Sequence, residues 1–234
     1  MDASMFHEIV ASAVAAVVDP SPSAPSLPRW VDLAAVLVGS ITGAATAVRR
    51  GFDIAGVLVL SIVMGFGGGI VRDVLLQDGP PAAMADSTYL LLALAAATVG
   101  FFFASVVDRL SSMVQTLDAL SLGVFAVVGF LKGLDSNLPI ISIILLGVVT
   151  AIGGGIIRDV LCGEVPDVFR PGHLNMSAVL VGLLALQGCE WLGVSRSISV
   201  WLCVVLIFSL RMGSIRLGWR APVPLDLGVR MRRR

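Results

Sequence analysis

Gly67-Gly68-Gly69-Ile70-Val71-Arg72-Asp73-Val74-Leu75 and Gly153-Gly154-Gly155-Ile156-Ile157-Arg158-Asp159-Val160-Leu161 are near copies of one another. Each closes an apolar run long enough to enter a bilayer. Three glycines weaken a helix by about 1 kcal/mol apiece relative to alanine, and an arginine placed in lipid costs several more. A membrane chain that does this twice, at matched positions, is expected to build a polar path rather than a passive bundle.

The copying extends beyond the glycines. An offset of 86 residues, the distance from Gly67 to Gly153, also superposes Asp32 on Asp118, Gly43 on Gly129, Leu60 on Leu146 and Pro80 on Pro166 without a gap. Of 234 residues, 57% are hydrophobic and 14% charged, with a mean hydropathy of +0.96. Soluble domains carry about 25% charged residues, so the shortfall marks an integral helical membrane protein. Apolar segments fall at about 30–48, 54–76, 88–107, 117–133, 138–162, 174–192 and 197–214, the fourth marginal in length. Each repeat then holds three spans, so the second copy enters the membrane in the opposite sense. The expected fold class is an all-α membrane protein: seven transmembrane helices, arranged as two inverted three-helix repeats plus a seventh helix.

The corresponding divisions are an N-terminal extension with a Pro/Ser linker (1–29), a first repeat (30–107), a second (112–192), the seventh helix (197–214) and a basic tail (215–234). Ile9 to Val18 is apolar but too short to span, and it lacks the basic flank of a signal peptide. With the tail inside, Arg49, Arg50, Arg109, Arg158, Arg170 and the arginines from Arg211 onward lie on the inner side. Only Arg29, Arg72, Lys132 and Arg196 lie outside. The positive-inside rule therefore places the C-terminus in the cytoplasm and the N-terminus outside.

Several chemistries have no visible seat. Cys162, Cys189 and Cys203 are far apart, and His7 and His173 have no acidic cluster beside them, so neither a disulfide framework nor a metal site is expected. Gly65-Phe66-Gly67 lacks the third glycine and the βαβ setting of a nucleotide fingerprint. A formal net charge of zero implies no bulk polyanion, nucleic acid included. The chain is expected not to be an enzyme and to need no cofactor.

Two readings of the glycines stand. They let helices pack closely, as Gly39-xxx-Gly43, Gly65-xxx-Gly69 and Gly129-xxx-Gly133 also would. Alternatively they let the helix unwind, so that bare carbonyls solvate a cation. Arg72 and Arg158 each need an opposite charge if buried. Their chain neighbours Asp73 and Asp159 point about 100° away around the helix, so one helix face is not expected to hold both members of each pair, and these two aspartates are expected nearer the mouths of the path. The repeat offers Asp32 for Arg72 and Asp118 for Arg158, each aspartate opening one span and each arginine closing the next. Phe66 stands where a hydrophobic gate would stand. Phe101, Phe102 and Phe103 read as packing or lipid-facing residues, Lys132 as snorkelling to the surface, and the tail arginines as meeting anionic lipid heads.

These features together, over about residues 30–214, resemble the prokaryotic branch of the trimeric intracellular cation (TRIC) channel family, also labelled glycine transporter or YadS-like (UPF0126) membrane proteins. The resemblance implies a homotrimer in the bacterial inner membrane, with one hourglass pore per protomer lined by spans two and five. It implies passage of potassium with some sodium. The pore then falls on Gly67, Gly68, Gly69, Gly153, Gly154 and Gly155, flanked by Arg72, Asp73, Arg158 and Asp159. Animal members carry a Lys-Glu-Val element on the fourth span; here Lys132 is followed by Gly133-Leu134. A secondary transporter for a small amino acid such as glycine, and a non-conducting scaffold, are the competing functions.

Overall fold

The computed structural model describes residues 29–77, 79–102, 111–170 and 174–219. His7, Phe103, Arg109, His173, the N-terminal extension to residue 28 and the tail beyond residue 219 lie outside the described residues.

Among the described residues all regular structure is helical, as a chain in hydrocarbon must satisfy its backbone hydrogen bonds within each segment. We label the long helices α1 (Arg29–Arg49), α2 (Ile54–Leu76), α3 (Ser87–Phe102), α4 (Ser111–Asp135), α5 (Ile140–Leu161), α6 (Met176–Trp191) and α7 (Arg196–Leu217). Single turns at Ala82–Ala85 and Asp167–Phe169 follow α2 and α5 at equivalent places. The Asp53 carboxylate caps α2 by accepting from the Gly56 amide at 2.8 Å. Gly218 ends α7 at φ 69°, a left-handed cap that glycine takes without steric cost.

Among the described residues, five helices are long and apolar enough to cross a membrane, whereas α3 and α6 are shorter apolar helices. At 1.5 Å per residue, the 16 described residues of each reach about 24 Å against a hydrocarbon core of about 30 Å. The fourth span is not marginal: α4 runs for 25 residues. Polar Ser111, Gln115 and Thr116 lengthen the helix without adding hydropathy. The seventh helix likewise continues to Leu217, so Arg216 belongs to it and not to the tail.

Burial is inverted relative to a soluble protein. Ile141 is 79% exposed while Arg72 is 1% exposed. Apolar side chains thus face outward, as lipid allows, and charge is held inside. α1 packs on α2, α3 and α4; α2 packs on α5; α4 packs on α5 and α7; and α6 packs chiefly on α7. Phe125, Phe130, Leu183 and Ile207 anchor the largest apolar core, among α4, α5, α6 and α7.

Candidate functional site

The glycine triplets meet at the contact between α2 and α5, and both helices run through them without interruption. The expected unwinding is absent. The reason lies in what surrounds each glycine. A side chain at Gly68 would overlap the Thr150 carbonyl oxygen, and one at Gly154 would stand 2.9 Å from the Met64 carbonyl oxygen. At Gly67 it would lie 3.2 Å from Gly154 Cα, and at Gly153 it would lie 3.3 Å from Gly68 Cα. These contacts are images of one another under the 86-residue offset. Missing side chains let two backbones touch, and that contact offsets the poor helix propensity. Gly69 and Gly155 behave differently: a side chain there would meet only its own helix's arginine, Arg72 Nη2 at 3.7 Å or Arg158 Nη2 at 4.0 Å. Two glycines of each triplet seal the crossing, and the third leaves room beside a guanidinium.

Both expected ion pairs form. Arg72 Nη1 donates to Asp32 Oδ1 at 3.3 Å, and Arg158 Nη1 donates to Asp118 Oδ1 at 2.8 Å. The chain neighbours pair as well, which corrects the expectation that one helix face cannot hold both members of Arg72–Asp73 or of Arg158–Asp159. Arg72 Nε donates to Asp73 Oδ1, and Arg158 Nε to Asp159 Oδ1, each at 2.8 Å. The 100° separation describes where the two side chains leave the helix. It does not limit a long arginine, whose Nε can turn back to the next carboxylate. Both carboxylates are also buried, and their second oxygens accept from the loop amides of Ala82 (2.9 Å) and Asp167 (3.0 Å). Each arginine thereby ties its helix end to the loop that follows.

Three participants were not among the partners expected from the sequence. The Tyr89 hydroxyl donates to Asp32 Oδ2 at 2.8 Å from 57 positions away. Lys132 Nζ lies 3.8 Å from Asp73 Oδ1 with its side chain 34% exposed, so it reaches back to the first cluster instead of only snorkelling outward. Arg211 Nη2 lies 3.8 Å from Asp118 Oδ2; its Nε and Nη1 are buried without a hydrogen-bond partner among the described residues. A hint was available for Arg211 alone, as a charge flanked on both sides by apolar sequence.

A cavity of about 40 Å³, large enough for water, adjoins the second cluster and is lined by Asp118, Asp159, Asn175, Gly155 and Arg158, among others. Phe66 is 7% exposed and packs with Val36, Tyr89 and Ala93 beside the first cluster. Phe101 and Phe102 stack edge to face at 5.7 Å, and Phe102 is 73% exposed.

Two further ion pairs define the direction of the crossing. Arg50, just before α2, meets Glu164, just after α5, at 2.8 Å. Lys132, in the last turn of α4 ahead of the short connection into α5, meets Asp73, near the end of α2. The two helices therefore run antiparallel. At the exposed Arg50–Glu164 pair, the guanidinium holds the Glu164 carboxyl below the usual carboxylate range. No group of three or more His, Cys, Asp or Glu residues among the described residues is placed to hold a metal ion.

The family described as Glycine transporter matches this chain twice, over residues 29–105 and 115–190. A UPF0126 membrane protein of Deinococcus radiodurans is 37% identical over 165 residues, which cover 70% of this chain and 75% of that protein. The UPF0126 inner membrane protein YadS of Escherichia coli K12 is 30% identical, over 83% of this chain and 94% of that protein. Among solved structures, the TRIC trimeric intracellular cation channel orthologue from Rhodobacter sphaeroides superposes with a TM-score of 0.75 at 32% identity, covering 80% of this chain and 96% of that one. A second TRIC cation channel gives 0.74 at 28% identity, covering 84% and 96%. With helices long and apolar enough to cross a bilayer, charge buried inside and relatives that match most of its length, the chain is a multi-pass membrane protein and belongs to the TRIC/YadS-like family.

Proposed function

We propose that this protein is a monovalent cation channel, passing potassium and some sodium through one pore in each protomer of a homotrimer. The observation that carries this reading is the pair of matched arginine–carboxylate clusters flanking the α2–α5 glycine crossing, one of them adjoining a water-sized cavity, in a chain similar to solved cation channels. The protomer is two inverted three-helix repeats, 30–107 and 112–192, with the helix at 197–214 outside them. Support comes from the double family match, the antiparallel crossing and its reciprocal contacts. The chain sits in the bacterial inner membrane among its lipids, with the C-terminus cytoplasmic.

A bare arginine beside a cation path would oppose permeation, since a unit charge at 4 Å repels by about 4 kcal/mol at an effective dielectric of 20. Here each arginine is held by two carboxylates, and Lys132 or Arg211 brings a second cation to each cluster. The clusters are thereby near neutral, and small movements of an arginine switch the field felt by an ion. The path runs past Gly69 and Gly155, the members of each triplet with room beside them; Gly67, Gly68, Gly153 and Gly154 hold its walls together.

The family's description as Glycine transporter keeps one rival in view. Planar-bilayer recording of the purified protein in asymmetric potassium and sodium, with glycine as competitor, separates the two. Unitary current steps that glycine leaves unchanged support the channel. Saturable glycine flux without steps would establish the transporter, and neither signal would leave a scaffold.

A further inference from the structure

The two halves of the site are matched in charge but not in space. The positions that line the cavity beside Asp118 have counterparts 86 residues earlier. Leu122, Ile152, Ile156, Val168 and Asn175 correspond to Val36, Phe66, Ile70, Ala82 and Tyr89. Those counterparts pack together: Val36, Phe66 and Tyr89 form one buried cluster with Ala93, and Ile70 and Ala82 lie against it. Two exchanges fill the space. An isoleucine becomes a phenylalanine, and an asparagine becomes the chain's single tyrosine.

The polar ends differ accordingly. Asp32 receives Arg72 on one oxygen and the Tyr89 hydroxyl, at 2.8 Å, on the other; its side chain is 9% exposed. The Asp118 side chain is 23% exposed, with Arg158 at 2.8 Å on one oxygen and Arg211 only at 3.8 Å from the other. Arg72 is 1% exposed and Arg158 is 8% exposed. Burying two aromatic rings removes the room that a hydrated ion needs, and the hydroxyl occupies the carboxylate oxygen that would otherwise meet the ion.

We propose that Tyr89, backed by Phe66, is the closed gate of the conduction path, lying in the first half only, while the second half is a standing vestibule. This rests on the channel reading above. Opening requires the Tyr89 ring to leave Asp32, which frees Asp32 Oδ2 to face the path as Asp118 Oδ2 faces its own. Arg72 stays in place on Asp32 Oδ1 and on Asp73.

The internal repeat supplies the test. A cysteine is placed at Leu122 or at Val36, and its modification by 2-aminoethyl methanethiosulfonate is followed, with the parent protein setting the background from native cysteines. Leu122→Cys is expected to react at least about tenfold faster than Val36→Cys, a difference of about 1.4 kcal/mol in access. Introducing Phe66→Ile and Tyr89→Asn, each copying the other half, is expected to bring Val36→Cys up to the Leu122→Cys rate. In bilayers the same pair raises open probability several-fold, whereas Tyr89→Phe, which keeps the ring, raises it less. Equal rates at the two cysteines in the otherwise native protein would overturn the proposal, as would a Val36→Cys rate unmoved by the exchange in a variant that elutes and melts like its parent. Because labelling needs no current, an unreactive plug in a non-conducting protein would sink the channel reading and leave the asymmetry standing.

Discussion

Substituting Gly68 and Gly69 separately with alanine distinguishes a packing glycine from a path-side one within a single triplet. Both substitutions raise helix propensity by the same amount, about 1 kcal/mol, so the difference between them isolates the steric term. At Gly68 the new methyl group would fall on the Thr150 carbonyl oxygen, with the carbonyl carbon at 3.2 Å; both atoms belong to the backbone of α5 and cannot rotate aside. The helices must separate by about 1 Å, a gap that forfeits a quarter to a half of each dispersion contact along the crossing. Overpacking of this kind costs about 1–3 kcal/mol. At Gly69 the methyl group would meet only Arg72 Nη2, at 3.7 Å, which is ordinary contact. Gly69→Ala is therefore expected to melt at or above the parent, and Gly68→Ala below both. At about 2–4 °C per kcal/mol for a chain of this size, the two alanines separate by several degrees in a detergent thermal melt. Gly68→Ala melting as high as Gly69→Ala would refute the claim that the first two glycines seal α2 against α5.

Arg72→Met leaves Asp32 and Asp73 buried without their shared cation, so we expect about 3–5 kcal/mol of destabilisation, read as a lowered melting temperature. Arg211→Met is expected to cost less than Arg158→Met, since Asp118 keeps a partner at 2.8 Å when the one at 3.8 Å is removed. The Arg50–Glu164 pair lies outside the spans and gives a pH signature. Arg50 lowers the Glu164 carboxyl below its ordinary value, so its contribution is full above the unfolded pKa and is lost as pH falls through the folded value. The melting difference between the parent and Glu164→Gln is expected to stay flat from about pH 6 to 8, begin to fall only as pH drops through the ordinary glutamate value of about 4.3, vanish once pH is below the depressed folded value and shrink in about 0.5 M salt. A difference that persists in acid would show that the pair contributes nothing through charge.

The charge pairing was legible because lipid makes the requirement severe. A buried arginine needs a carboxylate, and the 86-residue offset left Asp32 and Asp118 as the ones at the correct end of each span. The fate of the glycines was not legible, because Gly67 to Gly69 read alike along the chain. What separates them is whether α5 lies against them, and no spacing within α2 encodes that. The reach of Arg72 to Asp73 was misjudged by treating directions at Cβ as if they fixed a side chain of several rotatable bonds.

Apolar runs, the doubled motif and the offset between copies are properties of one dimension, and they suffice to dictate a membrane bundle of two related halves with arginines that must be compensated. Which glycines touch, how Tyr89 finds Asp32 across 57 positions and why one copy is filled while the other holds a cavity depend on helices meeting across long sequence separations. Hydropathy and repetition constrain where a helix runs, but only the packed bundle decides which of its faces has a neighbour, and that neighbour determines whether a small or polar side chain seals, pairs or leaves space.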